Sequence, residues 1–291
     1  MRIAVFGRTF SEHRSEVVSE LYSGLINQGH HLLIHDSFLA KTQNLLPKGA
    51  TAETFGGLRP LTRCDLMISI GGDGTLLEAV THVRNTGTPL LGINTGRLGF
   101  LTAFSAKEIG AAIKLINSNS MFTEKRTLLE LETEPNPFLE FPYALNEITL
   151  HKKDNSSMIT LALYRNGDLL NNYWADGLII STATGSTGYS LSCGGPIMLP
   201  ASQNFIITPI APHNLNVRPL VISDEDLLEI RPQVRGREMM ISLDSRSASM
   251  SALQSVCLRK APFSIELVRK EQGDFLQTLR EKLMWGTDKR N

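Results

Sequence analysis

The chain has 291 residues, of which 42% are hydrophobic and 20% are charged, so its apolar side chains suffice for about two globular domains. This composition excludes disordered, fibrous and collagen-like proteins. The 29 basic residues (Lys and Arg) balance the 29 acidic ones (Asp and Glu), and a formal net charge of +0 disfavours broad binding to nucleic acids or anionic membranes.

Short strand-like runs alternate with helical patterns over the first 120 residues. The helical signals are the apolar periodicity over residues 17–26, the run Leu76–Val83 and the capping-box sequence Ser105–Glu108, which opens a further helix. Strands that alternate with helices are typical of a parallel sheet covered on both faces. We therefore predict a parallel-sheet α/β domain over residues 1–120. Its strands are predicted at residues 3–6, 31–35, 66–70 and 89–93.

Residues 121–270 have a different character, because short alternating or apolar runs dominate and no helical pattern interrupts them. Asn166-Gly167 lies between two such runs and predicts a hairpin, since both turn positions favour positive φ. We predict an all-β domain of β-sandwich-like architecture here, followed at 271–291 by a closing helix that starts near Phe275. The predicted strands lie at 127–132, 144–150, 159–164, 178–181, 205–208, 227–230, 239–243 and 264–268.

The cysteines and the hydropathy of the chain indicate the cellular compartment of the protein. Cys64, Cys193 and Cys257 are odd in number and form no C-x-x-C pair, so the sequence supports neither a disulfide framework nor a zinc site. No apolar run approaches the roughly 20 residues of a membrane helix, and the apolar part of the N-terminus is too short for a signal peptide. We therefore predict a cytoplasmic protein with reduced thiols.

A glycine-rich turn follows the third predicted strand, and Gly71, Gly72, Gly74 and Thr75 are its candidate phosphate-binding residues. Glycines at the carboxyl end of a parallel strand allow backbone amides to approach phosphate oxygens, and the next helix adds its positive end. A carboxylate repels phosphates, so Asp73 needs another reason to be there: it either holds Mg²⁺ or accepts a proton from an attacking hydroxyl. Both roles belong to phosphoryl transfer. The alternative is an ordinary turn in which Asp73 caps the helix.

A second candidate site lies in the β-rich half, in the segment Asp176–Pro196. Residues 181–192 include seven Ser or Thr residues, two glycines and one tyrosine. So many small donors and acceptors suit the hydroxyls of a sugar and the edge of a base better than a metal ion. The alternative is a solvated Ser/Thr loop. The pair Asn146-Glu147 ends another strand-like run, although such a pair alone is more typical of a surface turn.

In order and spacing, these segments resemble the NAD kinase family, whose members use ATP to phosphorylate the adenosine ribose 2′-hydroxyl of NAD. The resemblance spans nearly the whole chain. The glycine-rich turn alone is shared with lipid kinases and relatives of phosphofructokinase, whereas the segment Asp176–Pro196 is far more specific. The matching segments are residues 71–75, 92–101, Asn146-Glu147, 176–196, 207–213 and the chain end 279–283 with Trp285.

The resemblance implies a role for each candidate residue. Asp73 corresponds to the proton acceptor for the 2′-hydroxyl, Phe100 to an apolar wall near the adenine, and Asn146 and Glu147 to ligands of ribose hydroxyls or the base. The resemblance also implies Mg²⁺ that enters with ATP, a homo-oligomer (dimer or tetramer), and a C-terminal segment that returns to the first domain. The implied dinucleotide-binding residues are Asp73, Gly74, Phe100, Asn146, Glu147, Asp176, Thr184, Thr187, Gly188, Tyr189, Ser190, Leu191 and Ser192.

Two other functions fit parts of the sequence. A lipid or sphingoid kinase would use the same glycine-rich turn, but it would need an apolar slot or a basic amphipathic stretch, and the hydroxyl-rich segment disfavours it. A non-catalytic dinucleotide sensor would keep the pocket and lose the chemistry, which the retained Asp73 disfavours. The chain also departs from many NAD kinases, which carry a basic residue where it has Trp174, and Gly-Gln after the aspartate that corresponds to Asp244. No ligand role is therefore implied for Arg246.

Overall fold

The computed structural model describes residues 1–8, 15–56, 61, 63–96, 99–118, 120–153, 158–233, 238–271 and 274–284. The chain divides into two compact units. Unit 1 contains Met1–Lys125 and Ile265–Asn291, and unit 2 contains Arg126–Ser264. Two long strands, Phe122–Glu132 and Val256–Arg269, contain the points at which the chain passes from one unit to the other.

A parallel sheet forms the centre of unit 1. Its strands are β1 (Arg2–Phe6), β2 (His31–His35), β3 (Glu53–Phe55), β4 (Leu66–Ile70), β5 (Leu90–Asn94) and the short β6 (Phe104–Ser105). The order of the first five is β5-β4-β1-β2-β3, so the direction of winding reverses between β1 and β4. Open α/β sheets bind ligands beyond the carboxyl ends of their strands at such a reversal. The glycine-rich turn follows β4 and lies at this point.

The described part of unit 1 contains five α-helices, and three of its helices and strands were not predicted, namely the helix at residues 36–42, β3 and β6. Ser105 and Glu108 form the predicted capping box, in which the Ser105 amide donates to the Glu108 carboxylate at 2.9 Å. The helix at residues 36–42 and the strand β3 have weak local patterns. A tertiary contact supports the helix, since the hydroxyls of Thr42 and Tyr22 lie 2.9 Å apart in the core. The helices are α1 (Ser15–Ile26), α2 (Asp36–Thr42), α3 (Asp73–Val83), α4 (Ile109–Ser118) and, at the chain end, α6 (Asp274–Leu283).

Unit 2 consists of antiparallel strands in two layers. One layer has the order β14-β13-β12-β9-β16-β17, and the other contains β11, β10, β15 and the first part of β18. Alternate residues of both layers point into one shared apolar core, as in a β-sandwich. The strands are β7 (Phe122–Glu132), β8 (Tyr143–Ala144), β9 (Glu147–Lys152), β10 (Ile159–Arg165), β11 (Asp168–Ala175), β12 (Gly177–Thr182), β13 (Asn204–Ile210), β14 (Leu220–Ser223), β15 (Leu228–Gln233), β16 (Glu238–Leu243), β17 (Arg246–Ser251) and β18 (Val256–Arg269).

The hairpin predicted at Asn166-Gly167 is confirmed. The two residues join β10 to β11, and their φ angles are 51° and 92°. The predicted fold class is also confirmed, because a parallel-sheet α/β unit precedes an antiparallel β unit and a helix ends the described chain. Among the described residues, no helix combines the length and the apolar character needed to cross a membrane. All three cysteines are free thiols.

Candidate functional site

The glycine-rich turn connects β4 directly to α3. The Gly71 amide donates to the Ile93 carbonyl at 3.0 Å, which ties the turn to the neighbouring strand. The helix begins at Asp73, and the Gly72 carbonyl accepts from the amides of Thr75 and Leu76. A Cβ built on Gly72 or Gly74 would meet open space. Gly72 and Gly74 are themselves exposed, which leaves room for an anion at the N-terminus of the helix.

The Asp73 carboxylate does not cap its own helix. Its Oδ2 accepts the Phe100 amide at 2.7 Å and its Oδ1 accepts the Leu101 amide at 3.2 Å. The helix N-cap is Gly72, and no side chain caps it. The structure therefore contradicts the alternative in which Asp73 is an ordinary capping residue. Its carboxylate is only partly buried and is held in one orientation by a loop 27 and 28 residues further along the chain.

The loop that holds Asp73 is itself fixed by unit 1. The Gly99 amide donates to the Thr102 hydroxyl at 3.2 Å, and the Phe100 carbonyl accepts two bonds of 3.2 Å from the Arg269 guanidinium. Gly99 lies so close to Asp73 that a Cβ on it would be only 1.7 Å from Asp73 Oδ1. Glycine is thus required at this position for the carboxylate to keep its place. The Phe100 ring lies 6.5 Å from the Phe275 ring, between centroids.

In unit 2, the predicted pair Asn146-Glu147 lies where β9 begins. Thr182 holds the preceding backbone, because its hydroxyl donates to the Leu145 carbonyl at 2.6 Å and its amide donates to the Asn146 carbonyl at 2.8 Å. The Gly185 amide returns a bond to the Thr182 hydroxyl at 3.1 Å. A Cβ on Gly185 would lie 2.1 Å from the Asn146 carbonyl oxygen, so only glycine permits this contact.

Asp244 holds the same backbone from the other side, and sequence reasoning missed it. Its carboxylate accepts the amides of Leu145 (2.8 Å), Asn146 (2.7 Å) and Glu147 (3.2 Å). The three amides come from consecutive residues nearly 100 positions earlier in the chain. Nothing in the local sequence around Asp244 indicates such a partner, apart from its place in a family motif.

Two buried polar atoms of this pair have no hydrogen-bond partner, namely Asn146 Oδ1 and Glu147 Oε2. Such orphaned groups are rare in native proteins, and a ligand is one common reason for them. A Cβ on Gly188 would lie 2.8 Å from Glu147 Oε2 and 3.3 Å from Asn146 Nδ2, so both side chains end beside Gly188. The structure therefore brings Asn146, Glu147 and Gly188 together.

Burial raises the pKa of the Glu147 carboxyl from 4.5 to about 8. The negative charge of Asp244 adds to this rise, and the Tyr189 amide, which donates to the carboxyl, opposes it. At neutral pH, Glu147 therefore holds a proton most of the time. A protonated carboxyl both donates and accepts hydrogen bonds, as does the neighbouring Asn146 carboxamide. The pair is suited to the vicinal hydroxyls of a ribose, which also donate and accept.

We expect Glu147→Gln to change the pH dependence of stability. The pKa of Glu147 is higher in the folded chain (about 8) than in the unfolded chain (4.5), so the free energy of unfolding falls as pH rises between these values. Glutamine cannot ionise, so the melting temperature of the variant relative to wild type should rise with pH up to about 8 and then level off. The exposed Glu140→Gln is the matched control, and a pH-independent difference for Glu147→Gln would contradict the buried acid.

The segment Asp176–Pro196 is not the solvated loop of the alternative interpretation. It contains β12, a 3₁₀ turn at Thr184–Thr187 and the short helix α5 (Tyr189–Ser192). Several of its hydroxyls are buried and bonded within the protein: Ser190 lies 2.8 Å from the Thr208 hydroxyl. Among the predicted dinucleotide-binding side chains of residues 184–192, those of Thr187, Tyr189, Leu191 and Ser192 are at least partly exposed, whereas those of Thr184 and Ser190 are buried.

Asp176 lies between β11 and β12 and forms an ion pair with Lys152 at 2.7 Å, which sequence reasoning did not anticipate. Both side chains are mostly buried. The Trp174 ring is about half exposed and packs against the His213 ring, with 4.1 Å between centroids. Three residues of the matching segments, Arg97, Leu98 and Trp285, lie outside the described part of the chain.

Comparison with known proteins gives matches along the whole chain. The model of the ATP-NAD kinase N-terminal domain matches residues 4–121, and that of the ATP-NAD kinase C-terminal domain matches residues 145–270. A protein of Flavobacterium psychrophilum named NAD kinase is 45% identical over 296 residues, and one of Cytophaga hutchinsonii with the same name is 45% identical over 294 residues. Each alignment covers 100% of both chains.

Solved structures show the same fold. A yeast NADH kinase in complex with NADH superposes with a TM-score of 0.89 at 23% identity, covering 99% of this chain and 88% of its own. An NAD kinase from Archaeoglobus fulgidus in complex with ATP superposes with a TM-score of 0.76 at 26% identity, covering 98% of this chain and 99% of its own.

Proposed function

This chain belongs to the NAD kinase family, and on that basis we propose that it transfers the γ-phosphoryl group of ATP to the 2′-hydroxyl of the adenosine ribose of NAD. The family models and the full-length relatives confirm the predicted activity, ATP-dependent phosphorylation of NAD. The observation that carries the proposed chemistry is the Asp73 carboxylate, which backbone amides hold at a glycine-rich turn beside a helix N-terminus.

The glycine-rich turn is proposed to bind the phosphates of ATP. Gly71, Gly72, Gly74 and Thr75 surround the start of α3, where the backbone amides and the helix dipole favour negative charge. In phosphoryl transfer, the protein takes little part in covalent chemistry. Most of the rate enhancement comes from positioning the reactants and from stabilising the charge on the phosphoryl group. A rigid turn between a strand and a helix provides such positioning.

Asp73 is proposed to accept the proton of the attacking hydroxyl. The ribose oxygen forms a bond to the γ-phosphorus, the bond from phosphorus to the β-γ bridging oxygen breaks, ADP leaves, and the hydroxyl proton passes to the Asp73 carboxylate. Each carboxylate oxygen accepts only one amide bond from the loop, at Phe100 and Leu101, so each keeps a lone pair for the hydroxyl. The loop thus orients the base without consuming its capacity to accept a proton.

The dinucleotide is proposed to bind through Asn146 and Glu147, whose orphaned oxygens are supplied with partners by ribose hydroxyls or the base. Because the Ser190 hydroxyl already pairs with Thr208, we assign the contribution of Ser190 to its backbone. Phe100 is proposed to offer an apolar face to the adenine. The remaining proposed contacts are Asp73, Gly74, Asp176, Thr184, Thr187, Gly188, Tyr189, Leu191 and Ser192.

Mg²⁺ is proposed to enter with ATP. This ion binds through few protein carboxylates and prefers substrate phosphates and water as its other ligands. Among the described residues, no group of three or more His, Cys, Asp or Glu side chains could hold a metal ion, and Asp73 is the carboxylate at the phosphate-binding turn. These residues fit an ion carried by the nucleotide. When bound, Mg²⁺ neutralises charge that develops on the phosphates.

We also propose a cytoplasmic homo-oligomer, a dimer or tetramer. The free thiols support a reducing compartment. Unit 2 exposes large apolar side chains such as Leu199, Leu215 and Val221, which a second copy would cover. We also propose that the chain divides at the predicted boundaries. Residues 1–120 bind ATP, residues 121–270 bind the dinucleotide, and residues 271–291 form a helix that returns to the first domain.

One assay tests the proposed function. The purified chain is incubated with ATP and Mg²⁺ and with NAD, NADH or diacylglycerol as separate acceptors, and products are identified by mass spectrometry. We expect ADP and NADP in equal amounts from NAD, and the NADH reaction measures the preference of a chain that carries Trp174. Phosphorylated diacylglycerol without NADP would indicate a lipid kinase. Thermal stabilisation by NAD without any product would indicate a dinucleotide sensor.

A further inference from the structure

We propose that Asp244 is a positioning residue for the dinucleotide: its buried carboxylate fixes the backbone of Leu145–Glu147 and thereby aims the side chains of Asn146 and Glu147 at the ligand. The proposal rests on the function proposed above. It extends that function to a residue that touches neither ATP nor NAD in the proposed mechanism and acts through its neighbours.

The geometry of the contact is specific to three consecutive amides. Asp244 Oδ1 accepts from Asn146 and Glu147, and Oδ2 accepts from Leu145. The Asp244 amide donates in return to the Glu147 carbonyl at 3.0 Å. Four hydrogen bonds therefore join one residue to one short segment. They fix its backbone at the positions from which the Asn146 and Glu147 side chains project.

The turn around Asp244 does not by itself require a carboxylate. Asp244 lies between β16 and β17 with a φ of 52°, a left-handed conformation that Asn and Gly also adopt readily. A buried carboxylate is unfavourable unless hydrogen bonds compensate for the lost water. An uncharged Asn or Gly would therefore serve the hairpin equally well. The amides of Leu145–Glu147 explain why a carboxylate is present here.

The segment that Asp244 fixes carries the two side-chain oxygens of the site that have no hydrogen-bond partner. The Leu145–Glu147 backbone is held by Asp244 on one side and by Thr182 on the other. Its side-chain oxygens Asn146 Oδ1 and Glu147 Oε2 are nevertheless buried and without partners. The backbone groups of this segment thus all have hydrogen-bond partners, whereas the two side-chain oxygens have none. This is expected of a binding site that is already organised before its ligand binds.

Asp244 also affects the protonation of Glu147. Burial raises the pKa of both carboxyls, but at Asp244 three amides and the Arg246 guanidinium oppose the rise. The charge of Asp244 is one cause of the raised pKa of Glu147, and the three amides that donate to the Asp244 carboxylate favour its ionised form. The Tyr189 amide donates to Glu147, Ser181 lies across from it on β12, and the Asn146 side chain ends beside the same Gly188. Removing the Asp244 charge should therefore lower the pKa of Glu147.

The test is Asp244→Asn, compared with Asp226→Asn as a matched control. Asp226 is another buried aspartate of unit 2, bound to Arg165 and Asn166 outside the proposed site. In Asp244→Asn, an NH₂ group replaces one oxygen and faces an amide donor. We expect the KM for NAD to rise at least about 10-fold, with kcat and the KM for ATP within about 3-fold of wild type. Asp226→Asn should keep the wild-type KM for NAD.

The dependence of the KM for NAD on pH distinguishes a positioning role from a purely structural one, which would leave this dependence unchanged. The KM for NAD of the wild type should rise above about pH 8, where Glu147 loses its proton. In Asp244→Asn the rise should begin at lower pH, because the nearby negative charge is gone. An unchanged KM for NAD at every pH would overturn the positioning role.

Two further measurements keep the proposal testable if Asp244→Asn is unstable. Asp244→Gly removes the carboxylate but suits the left-handed φ, and it should also raise the KM for NAD. In the wild type, the amides of Leu145, Asn146 and Glu147 should be strongly protected from hydrogen exchange, and rapid exchange of all three would overturn the proposal. Absence of NADP from the wild-type reaction would overturn the proposed function as well, whereas an active wild type with unaffected Asp244 variants would overturn the positioning role alone.

Discussion

Replacing Asp73 by Asn should lower kcat for NADP formation by about 10²- to 10⁴-fold, the range that general-base assistance supplies. Asparagine has nearly the same shape but cannot take the proton of the ribose hydroxyl. The KM for NAD should change little, because asparagine keeps nearly the shape of Asp73 and the other groups proposed to bind the dinucleotide, such as Asn146 and Glu147, remain in place. Steady-state kinetics with NAD and ATP varied separately will measure both parameters.

The Asp73→Asn substitution also affects the loop at residues 99–101. Asp73 also accepts the amides of Phe100 and Leu101, and asparagine can accept only through one oxygen. Part of the loss in Asp73→Asn could therefore come from a displaced loop. A crystal structure of the variant separates the effects, because loss of the base alone leaves the loop at residues 99–101 in place, whereas a displaced loop is seen directly. Turnover near the wild-type rate would remove the assigned role.

Replacing Gly99 by Ala should lower kcat by about 10²-fold, although Gly99 has no side chain and takes no chemical role. The added methyl carbon would lie 1.7 Å from Asp73 Oδ1, so the carboxylate and the loop at residues 99–101 cannot both stay in place. Displacement of a reacting group by about 1 Å typically has an effect of this size. Kinetics and a crystal structure of the variant will show whether the carboxylate has moved.

The matched control for this variant is Gly110→Ala in α4 of the same unit. There the nearest atom to the added methyl would be Glu20 Oε1 at 3.7 Å, an ordinary contact. Alanine within a helix should stabilise the protein by about 0.5–1 kcal/mol and leave kcat unchanged. A Gly99→Ala enzyme with the kinetics of Gly110→Ala would show that the exact placement of Asp73 is unimportant.

Local sequence patterns predicted the strands, caps and turns whose conformation depends mainly on their own residues. The buried runs of β1, β4 and β5 are continuous and apolar because parallel strands are covered on both faces. The capping box at Ser105–Glu108 and the turn at Asn166-Gly167 are short-range hydrogen-bond and backbone preferences, and both were found where predicted. The family motifs likewise indicated Asp73, Asn146 and Glu147 as site residues.

The elements that were missed have weak local patterns and depend on partners elsewhere in the chain. Strand β17 has the sequence Arg-Ser-Ala-Ser-Met-Ser, which lacks a strong strand pattern and is fixed by pairing with β16. Helix α2 is only seven residues long, and its stability depends on the buried contacts of Phe38 and Thr42. Isolated helices of this length do not persist in water.

The sequence by itself determined the fold class, the glycine-rich turn and the identity of the residues in the family motifs, because these follow from residue spacing and side-chain chemistry. Only the tertiary structure decided how those residues are held. The amides on Asp73 come from residues 27 and 28 positions away, and those on Asp244 come from residues nearly 100 positions away. Hydrogen bonds of this kind leave no periodic signal in a sequence, since their geometry exists only after the chain has folded.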